Sequence, residues 1–164
     1  MNRNYDNFLN LTMDTRIREC RDGWYAFEDT VFYGEKGGAL ADRGTINGRE
    51  VLELRWEGDT LWHRVEGELS DPVRLEVDRL TRWNNTAVQS AFHMLDGYYG
   101  RLGLRIVAIG VHPENQWYEL DTKELPPGHL EEVQAFLDRQ ILDDFPVELS
   151  YVKGADYPEP KYQG

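Results

Sequence analysis

A glycine-rich segment between residues 29 and 44 carries the residue types best suited to holding a ligand. It reads Asp-Thr-Val-Phe-Tyr-Gly-Glu-Lys-Gly-Gly-Ala-Leu-Ala-Asp-Arg-Gly, with four glycines and two aromatic residues directly before the first of them. Glycine permits positive φ and lets backbone N–H groups approach a ligand without a Cβ clash. An ordinary turn needs about two such residues. The segment therefore predicts the floor of a binding site, entered by Thr30 and closed by Asp42.

A second group of polar residues lies at helical spacing near the middle of the chain. The run Gln89-Ser-Ala-Phe-His-Met-Leu95 belongs to a stretch, from Asp78 to about Gly100, in which apolar and small residues recur every three or four positions. This spacing predicts an amphipathic helix. Residues four apart lie on one helical face, so Gln89 and His93 are expected to point in the same direction.

Together, the two segments resemble the editing domain of alanyl-tRNA synthetases and the freestanding AlaX-type proteins. The family's glycine-rich motif reads roughly T-x-F-Y-P-E-G-G-G-Q-P-x-D-x-G, and its helix motif reads H-[ST]-A-x-H-L-L. The resemblance runs from about residue 14 to about residue 152. The matching positions are Thr30, Phe32, Tyr33, Glu35, Gly37, Gly38, Asp42 and Gly44 in the first motif and Ser90, Ala91, His93 and Leu95 in the second.

The resemblance implies a zinc site that this sequence does not complete. In the family, two helix histidines four apart and a later C-x-x-x-H pair hold Zn²⁺. Gln89 replaces the first histidine, and the C-x-x-x-H segment would lie beyond the last residue given. Glutamine is a neutral oxygen donor and a poor substitute for imidazole on zinc. We therefore predict no metal and no other cofactor, with His93 either a buried helix histidine or a residue of the substrate pocket.

The same resemblance implies an aminoacyl-tRNA deacylase, which hydrolyses the ester that joins serine or glycine to the tRNA for alanine. Thr30 would hydrogen-bond a substrate hydroxyl, and the backbone of the glycine turn would offer N–H donors. The implied catalytic residues are Thr30, Gly37, Gly38 and His93. The implied substrate-pocket residues are Phe32, Glu35, Asp42 and Gln89, with Gln89 and His93 on the wall opposite Thr30 and the glycines.

A second hypothesis is a non-catalytic binding module of the same fold. Ala39 stands where the family has an active-site glutamine, and losing one such group typically costs about 10²–10³-fold in rate. The module would recognise a small ligand, the acceptor end of tRNA or a protein partner. A net charge of −12 opposes tight binding to RNA, because phosphate neutralisation supplies most of that affinity. Five arginines of the middle third are interpreted as solvated surface cations, with a local basic patch as the alternative: Arg74, Arg79, Arg82, Arg101 and Arg105.

Composition favours a cytoplasmic protein with no membrane partner. No apolar run approaches the roughly 20 residues that span a bilayer, and residues 1–7 do not read as a signal peptide. The single cysteine, Cys20, excludes an intramolecular disulfide framework and is interpreted as a small core residue of a strand. His63 alternates with Trp62 and Val65 and is interpreted as an exposed or rim residue.

The order of the predicted elements indicates an α+β fold, with a small N-terminal β-barrel joined to an α/β lobe of antiparallel strands and two long helices. The barrel lobe is expected over residues 1–77 and the editing-type lobe, without the zinc-ligand segment, over residues 78–164. Two short strands are predicted over 15–28 around a turn at residues 21–23, with further strands over 44–56 (with an Asn47-Gly48 turn), 60–65, 73–78, 104–110, 117–120 and 146–152. Helices are predicted over 78–100 and 129–144.

Overall fold

The structure is a computed structural model that describes residues 7–112 and 115–146. The chain divides into two compact units, Met1–Leu120 and Asp121–Gly164. The first unit holds nine strands and a long helix, α1 (Arg79–Arg101). Its strands are β1 (Thr12–Thr15), β2 (Ile17–Arg21), β3 (Trp24–Phe27), β4 (Gly44–Ile46), β5 (Arg49–Glu57), β6 (Thr60–Val65), β7 (Val73–Val77), β8 (Ile106–His112) and β9 (Asn115–Leu120).

The first seven strands form one antiparallel sheet in the order β1-β7-β4-β5-β6-β3-β2. The α+β class with antiparallel strands is therefore confirmed. The predicted barrel is not closed, because β1 and β2 form the two edges of the sheet and have no ladder between them. Only Arg16 separates these two strands along the chain, so the sheet curls until its edges meet at that residue.

Alternating side chains along the strands build the core of this sheet. In β7, Val73, Leu75 and Val77 are buried while Arg74 and Glu76 face outward, as a half-buried strand requires. The predicted Asn47-Gly48 turn is confirmed, with positive φ at both residues and Ile46 paired with Arg49. The core cluster comprises Tyr25, Phe27, Val31, Phe32, Ile46, Val51, Leu61, Val65, Val73, Leu75 and Val77.

Helix α1 begins at a capped N-terminus. The Asp78 carboxylate accepts the backbone N–H of Thr81 at 2.7 Å, and this hydrogen bond lowers the pKa of Asp78. The predicted helix is confirmed. The buried residues of α1 are Arg82, Phe92, Leu95 and Tyr99.

Strands β8 and β9 form a separate two-stranded sheet next to α1. Tyr99 of α1 is fully buried, and its hydroxyl shares a hydrogen bond with the hydroxyl of Tyr118 on β9. Desolvation by burial raises the pKa of Tyr99, and its hydrogen bond with Tyr118 raises it further. This bond fixes the β8–β9 hairpin to the helix.

The second unit contains helix α2 (His129–Asp143), close to the predicted range. Gly128 precedes it with φ of +80°, a conformation that glycine adopts without strain. The strand predicted at 146–152 lies almost wholly outside the described residues, and the predicted lobe boundary at residues 77 and 78 stays a prediction. Neither α1 nor α2 is long and apolar enough to cross a membrane.

Gly44, the last glycine of the motif, lies where β4 approaches β7 most closely. A Cβ at this position would be 2.9 Å from the Val77 Cα and closer still to the Glu76 carbonyl oxygen. We expect Gly44→Ala to lower the free energy of unfolding by about 1–3 kcal/mol, because the backbone of β7 must move. Urea denaturation measures this change.

The control is Gly97→Ala in α1, where an added Cβ meets no atom within 4 Å. It should raise stability by about 0.5–1 kcal/mol, because alanine favours the helix. Equal losses in both variants would contradict the close approach at Gly44.

Candidate active site

The glycine-rich segment forms a loop between β3 and β4 whose tip is a tight turn. Lys36 and Ala39 exchange backbone hydrogen bonds of 3.3 and 3.2 Å across it. The two residues between them, Gly37 and Gly38, have φ of +62° and +82°, the signs that a type I′ turn requires. Both glycines are exposed, as predicted for a floor on which a ligand can rest.

The tip of this loop lies against α1 and β8. A Cβ added to Gly38 would be 3.4 Å from Nε2 of Gln89 and 3.6 Å from Cδ1 of Ile109. The predicted juxtaposition of the glycine turn and Gln89 is therefore present in the structure. A side chain at position 38 would therefore be in van der Waals contact with the amide and with Ile109.

The side-chain amide of Gln89 is the polar group of this contact that lacks a hydrogen-bond acceptor in the part of the chain that the structure describes. Its Nε2 atom is buried, and no described residue accepts a hydrogen bond from it. A buried N–H without an acceptor costs about 1–3 kcal/mol. A ligand oxygen placed between Gly38 and Gln89 would remove that cost. His93 lies one helical turn later and is exposed, so the interpretation as a buried histidine is wrong.

A buried ion pair anchors the other end of the loop. The guanidinium of Arg82 donates from Nε to Oδ1 of Asp42 at 2.9 Å and from Nη2 to Oδ2 at 2.5 Å. Oδ2 also accepts the backbone N–H of Tyr33 at 2.6 Å, and Nη2 also donates to the Val31 carbonyl at 2.8 Å. Arg82 is only 5% exposed, so its interpretation as a solvated cation is wrong. The Asp42 carboxylate is committed to holding the loop.

A cleft of about 640 Å³ lies beside this anchor. Asn85 forms part of its wall and donates to the carbonyls of Leu40 and Ala41 at 3.2 and 3.3 Å. Gln89 lies one helical turn beyond Asn85, so the cleft and the Gly38–Gln89 contact are neighbours along α1. The lining residues are Glu35, Leu40, Ala41, Asp42, Arg43, Glu50, Val51, Leu52, Glu53, Leu54, Thr81, Asn84, Asn85, Val88, Val111 and Gln116.

Thr30 is bound to a histidine rather than lying free at the site. Its Oγ1 is 3.0 Å from Nε2 of His63 and accepts the backbone N–H of Phe32 at 3.1 Å. His63 has no exposed surface, so its interpretation as a rim residue is wrong. Its ring meets Phe27 and Phe32 edge to face, with centroids 4.9 and 5.4 Å away. Desolvation by burial lowers its pKa to about 4.

The remaining predicted residues occupy different environments. Phe32 has no exposed surface and belongs to the core of the sheet. Glu35 is exposed and lines the cleft. Cys20 is exposed in β2, so its interpretation as a core residue is wrong.

Within residues 7–112 and 115–146, no group of three or more His, Cys, Asp or Glu side chains could hold a metal ion. The donor at the glycine turn is an amide whose nitrogen is buried against Gly38. An amide N–H is a hydrogen-bond donor and not a metal ligand. The described residues therefore do not fit the zinc that the family resemblance implies.

Comparison with known proteins identifies the lineage. The chain is 27% identical over 135 residues to the alanyl-tRNA editing protein AlaX-M of Pyrococcus horikoshii. The aligned region covers 77% of this chain and 62% of that protein. It is 26% identical over 156 residues to the alanyl-tRNA editing protein Aarsd1 of Mus musculus (87% of this chain, 38% of that protein). It is 32% identical over 150 residues to the alanine–tRNA ligase of Halorhodospira halophila (84% and 17%).

The chain is similar over most of its length to alanyl-tRNA editing proteins. The recognition made from the two motifs is confirmed, as is the descent from the deacylase lineage. No general protein-family model matches the chain. The chain spans 62% of the AlaX-M protein and 17% of the bacterial synthetase.

Two residues that shape the candidate site were missed from sequence. His63 shares a strand face with Leu61 and Val65, both buried, so the period of two in β6 could have placed it in the core. Arg82 carries no such signal. Its partner Asp42 is 40 residues away, and only the fold brings them together.

The ion pair yields a stability prediction. Asp42→Asn removes the charge that neutralises a buried guanidinium, and we expect it to lower the free energy of unfolding by about 3–5 kcal/mol. Chemical denaturation measures the loss. Asp14→Asn is the matched control, because Asp14 pairs with Arg74 at the surface, with the two side chains 71% and 51% exposed. It should cost less than about 1 kcal/mol, and a similar loss in both would contradict the anchoring role.

Burial of His63 yields a prediction for pH. The unfolded histidine binds a proton at pH near 6.5 and the folded one only near 4. Between these values the unfolded state holds more protons, so stability falls as pH falls, by on the order of 3 kcal/mol at pH 4. Denaturation at several pH values, compared with His63→Phe, isolates this contribution. The variant should lose less stability than the parent between pH 6.5 and 4, and parallel curves would contradict a neutral buried His63.

Proposed function

We propose that this chain is an aminoacyl-tRNA deacylase that releases a wrongly attached small amino acid, serine or glycine, from the tRNA for alanine. The observation that carries the proposal is the close approach of Gly38, in the Gly37–Gly38 turn, to the amide of Gln89, whose Nε2 has no hydrogen-bond partner among the described residues. The names of the relatives support it, because AlaX-M and Aarsd1 are called alanyl-tRNA editing proteins. The substrate is then an aminoacyl-tRNA, encountered in the cytoplasm.

The contact supplies the donors that ester hydrolysis needs. Water attacks the ester carbonyl carbon, the bond to the ribose oxygen breaks, and a proton passes to that oxygen. Negative charge develops on the carbonyl oxygen during the attack, and preorganised N–H donors stabilise it. Nε2 of Gln89 is such a donor, because it is buried and no described residue competes for it. The exposed backbone of Gly37 and Gly38 lies on the other side of the same space.

We propose that this hydrolysis proceeds without a bound metal. The support is chemical: Gln89 stands where the family resemblance implies a histidine, and its amide nitrogen faces the glycine turn. A neutral amide does not hold zinc in the way that imidazole does. The Gln89 amide N–H then polarises the ester carbonyl in place of a metal ion.

The charge of the protein shapes how it meets tRNA. With a net charge of −12, it gains little affinity from the phosphate backbone. Recognition is then concentrated on the acceptor end and the attached amino acid. We expect weak binding to uncharged tRNA and discrimination through the aminoacyl group.

The test is release of radiolabelled serine from Ser-tRNA specific for alanine, with Ala-tRNA as the cognate comparison. The parent protein should release serine above the buffer rate and leave Ala-tRNA largely intact. Gln89→Leu should lower the rate by about 10²–10³-fold, because it removes an oxyanion donor at similar volume. Treatment of the parent with a zinc chelator should leave the rate unchanged.

Gln134→Leu is the matched control. Gln134 is an exposed glutamine of α2 whose Nε2 donates to Asp138 at 2.8 Å, and its replacement should leave the rate unchanged. Release no faster than in buffer would refute the deacylase and leave a binding module. Loss of activity on chelation, restored by zinc, would refute the metal-free mechanism alone.

A further inference from the structure

A chain of hydrogen bonds runs from the core of the sheet to Thr30. Nδ1 of His63 is 3.2 Å from the carbonyl oxygen of Tyr25, and Nε2 is 3.0 Å from Oγ1 of Thr30. A carbonyl oxygen can only accept, so Nδ1 carries the proton and donates it. A neutral imidazole then has a bare Nε2, which can only accept. The Thr30 hydroxyl must therefore donate to His63.

The surroundings of His63 keep the ring neutral. The side chain has no exposed surface, and Phe27 and Phe32 pack against it edge to face. Its hydrogen-bonding neighbours are the backbone of Tyr25 and of Leu61 and the Thr30 hydroxyl, so an imidazolium would have no charged partner in these contacts. The depressed pKa, about 4, agrees with this environment. The tautomer is consequently fixed over the physiological range of pH.

The hydrogen bond to His63 fixes the direction in which the Thr30 hydroxyl donates. Its proton is committed to His63, and one lone pair of Oγ1 accepts the Phe32 N–H at 3.1 Å. A hydroxyl has one proton and two lone pairs, so one lone pair is left. Thr30 is half-buried, and that lone pair is what it can offer to a ligand. Such a group accepts a hydrogen bond and cannot donate one.

We propose that His63 is a positioning residue that makes Thr30 an acceptor-only group, so that the site selects an amino acid whose side chain donates a hydrogen bond. The inference rests on the proposed function and deepens it. A seryl group satisfies Thr30 through its hydroxyl proton. A glycyl group makes no such bond, and an O-methylseryl group presents only an acceptor and leaves two acceptors facing each other.

The experiment compares hydrolysis of seryl-, glycyl- and O-methylseryl-tRNA specific for alanine, measured as kcat/KM. The parent should prefer seryl over O-methylseryl by about tenfold or more, the effect of one hydrogen bond. His63→Phe removes the acceptor beside Thr30 and keeps an aromatic ring between Phe27 and Phe32. The freed hydroxyl can then donate, so the preference should fall toward unity while the glycyl rate stays within about twofold.

Thr30→Val is the second variant. It should abolish the same preference, and adding His63→Phe to it should change the preference no further, because both act through one hydroxyl. A purely structural role for His63 would lower all three rates together. An unchanged preference in His63→Phe would overturn the positioning role while the deacylase stands. If the parent hydrolyses none of the three esters, the proposed function falls, and the substrate role of His63 falls with it.

A direct measurement does not depend on a folded variant. Nitrogen NMR of the ¹⁵N-histidine-labelled parent at pH 7 distinguishes a protonated ring nitrogen from a bare one. We expect the His63 signals, assigned by their loss in His63→Gln or by through-bond correlation, to show Nδ1 protonated and Nε2 bare. A proton on Nε2 would overturn the inference, because Thr30 would then accept from the ring and keep its own proton for a ligand.

Discussion

The buried ion pair between Asp42 and Arg82 is the interaction on which the site depends. It joins a flexible, glycine-rich loop to a rigid helix, with both carboxylate oxygens and two guanidinium nitrogens engaged. Backbone groups of Val31 and Tyr33 add further hydrogen bonds, so the two buried charges neutralise each other, while Nη1 of Arg82 has no hydrogen-bond partner among the described residues. With this end of the loop fixed, the turn at Gly37 and Gly38 is held against Gln89. The loop needs glycines for its conformation and an ion pair for its position.

Two kinds of polar group meet around this loop and perform opposite tasks. In the Tyr25–His63–Thr30 chain, both ring nitrogens of His63 are hydrogen-bonded, one to the Tyr25 carbonyl and the other to the Thr30 hydroxyl. These bonds fix the direction of the Thr30 hydroxyl. The Gln89 amide has no such partner among the described residues and remains available for a ligand. A fully hydrogen-bonded network fixes the orientation of its side chains. An unsatisfied donor favours ligand binding, because a buried N–H is costly until a ligand accepts its hydrogen bond.

The open sheet has consequences for this arrangement. Its edge strands, β1 and β2, are adjacent in sequence and lie at opposite ends of the strand order, so the sheet curls around its apolar cluster without a closing ladder. His63 lies inside that curl, where aromatic rings shield it from water. The low dielectric around it keeps the ring neutral, and the hydrogen bond to the Tyr25 carbonyl selects the tautomer. In the proposed site, the orientation of the Thr30 hydroxyl thus depends on a core that shields His63 from water.

The sequence by itself determined the family, the helix that carries Gln89 and His93, and the need for positive φ at Gly37 and Gly38, because these are encoded in local periodicity and in glycine itself. Only the tertiary structure decided which partners the polar residues bind and whether they are buried. Asp42 was predicted in a substrate pocket and is bound to Arg82, and His63 was predicted at a rim and is buried against Thr30. Partners 33 and 40 residues apart leave no periodic trace in a sequence, since their pairing is set by where sheet and helix meet.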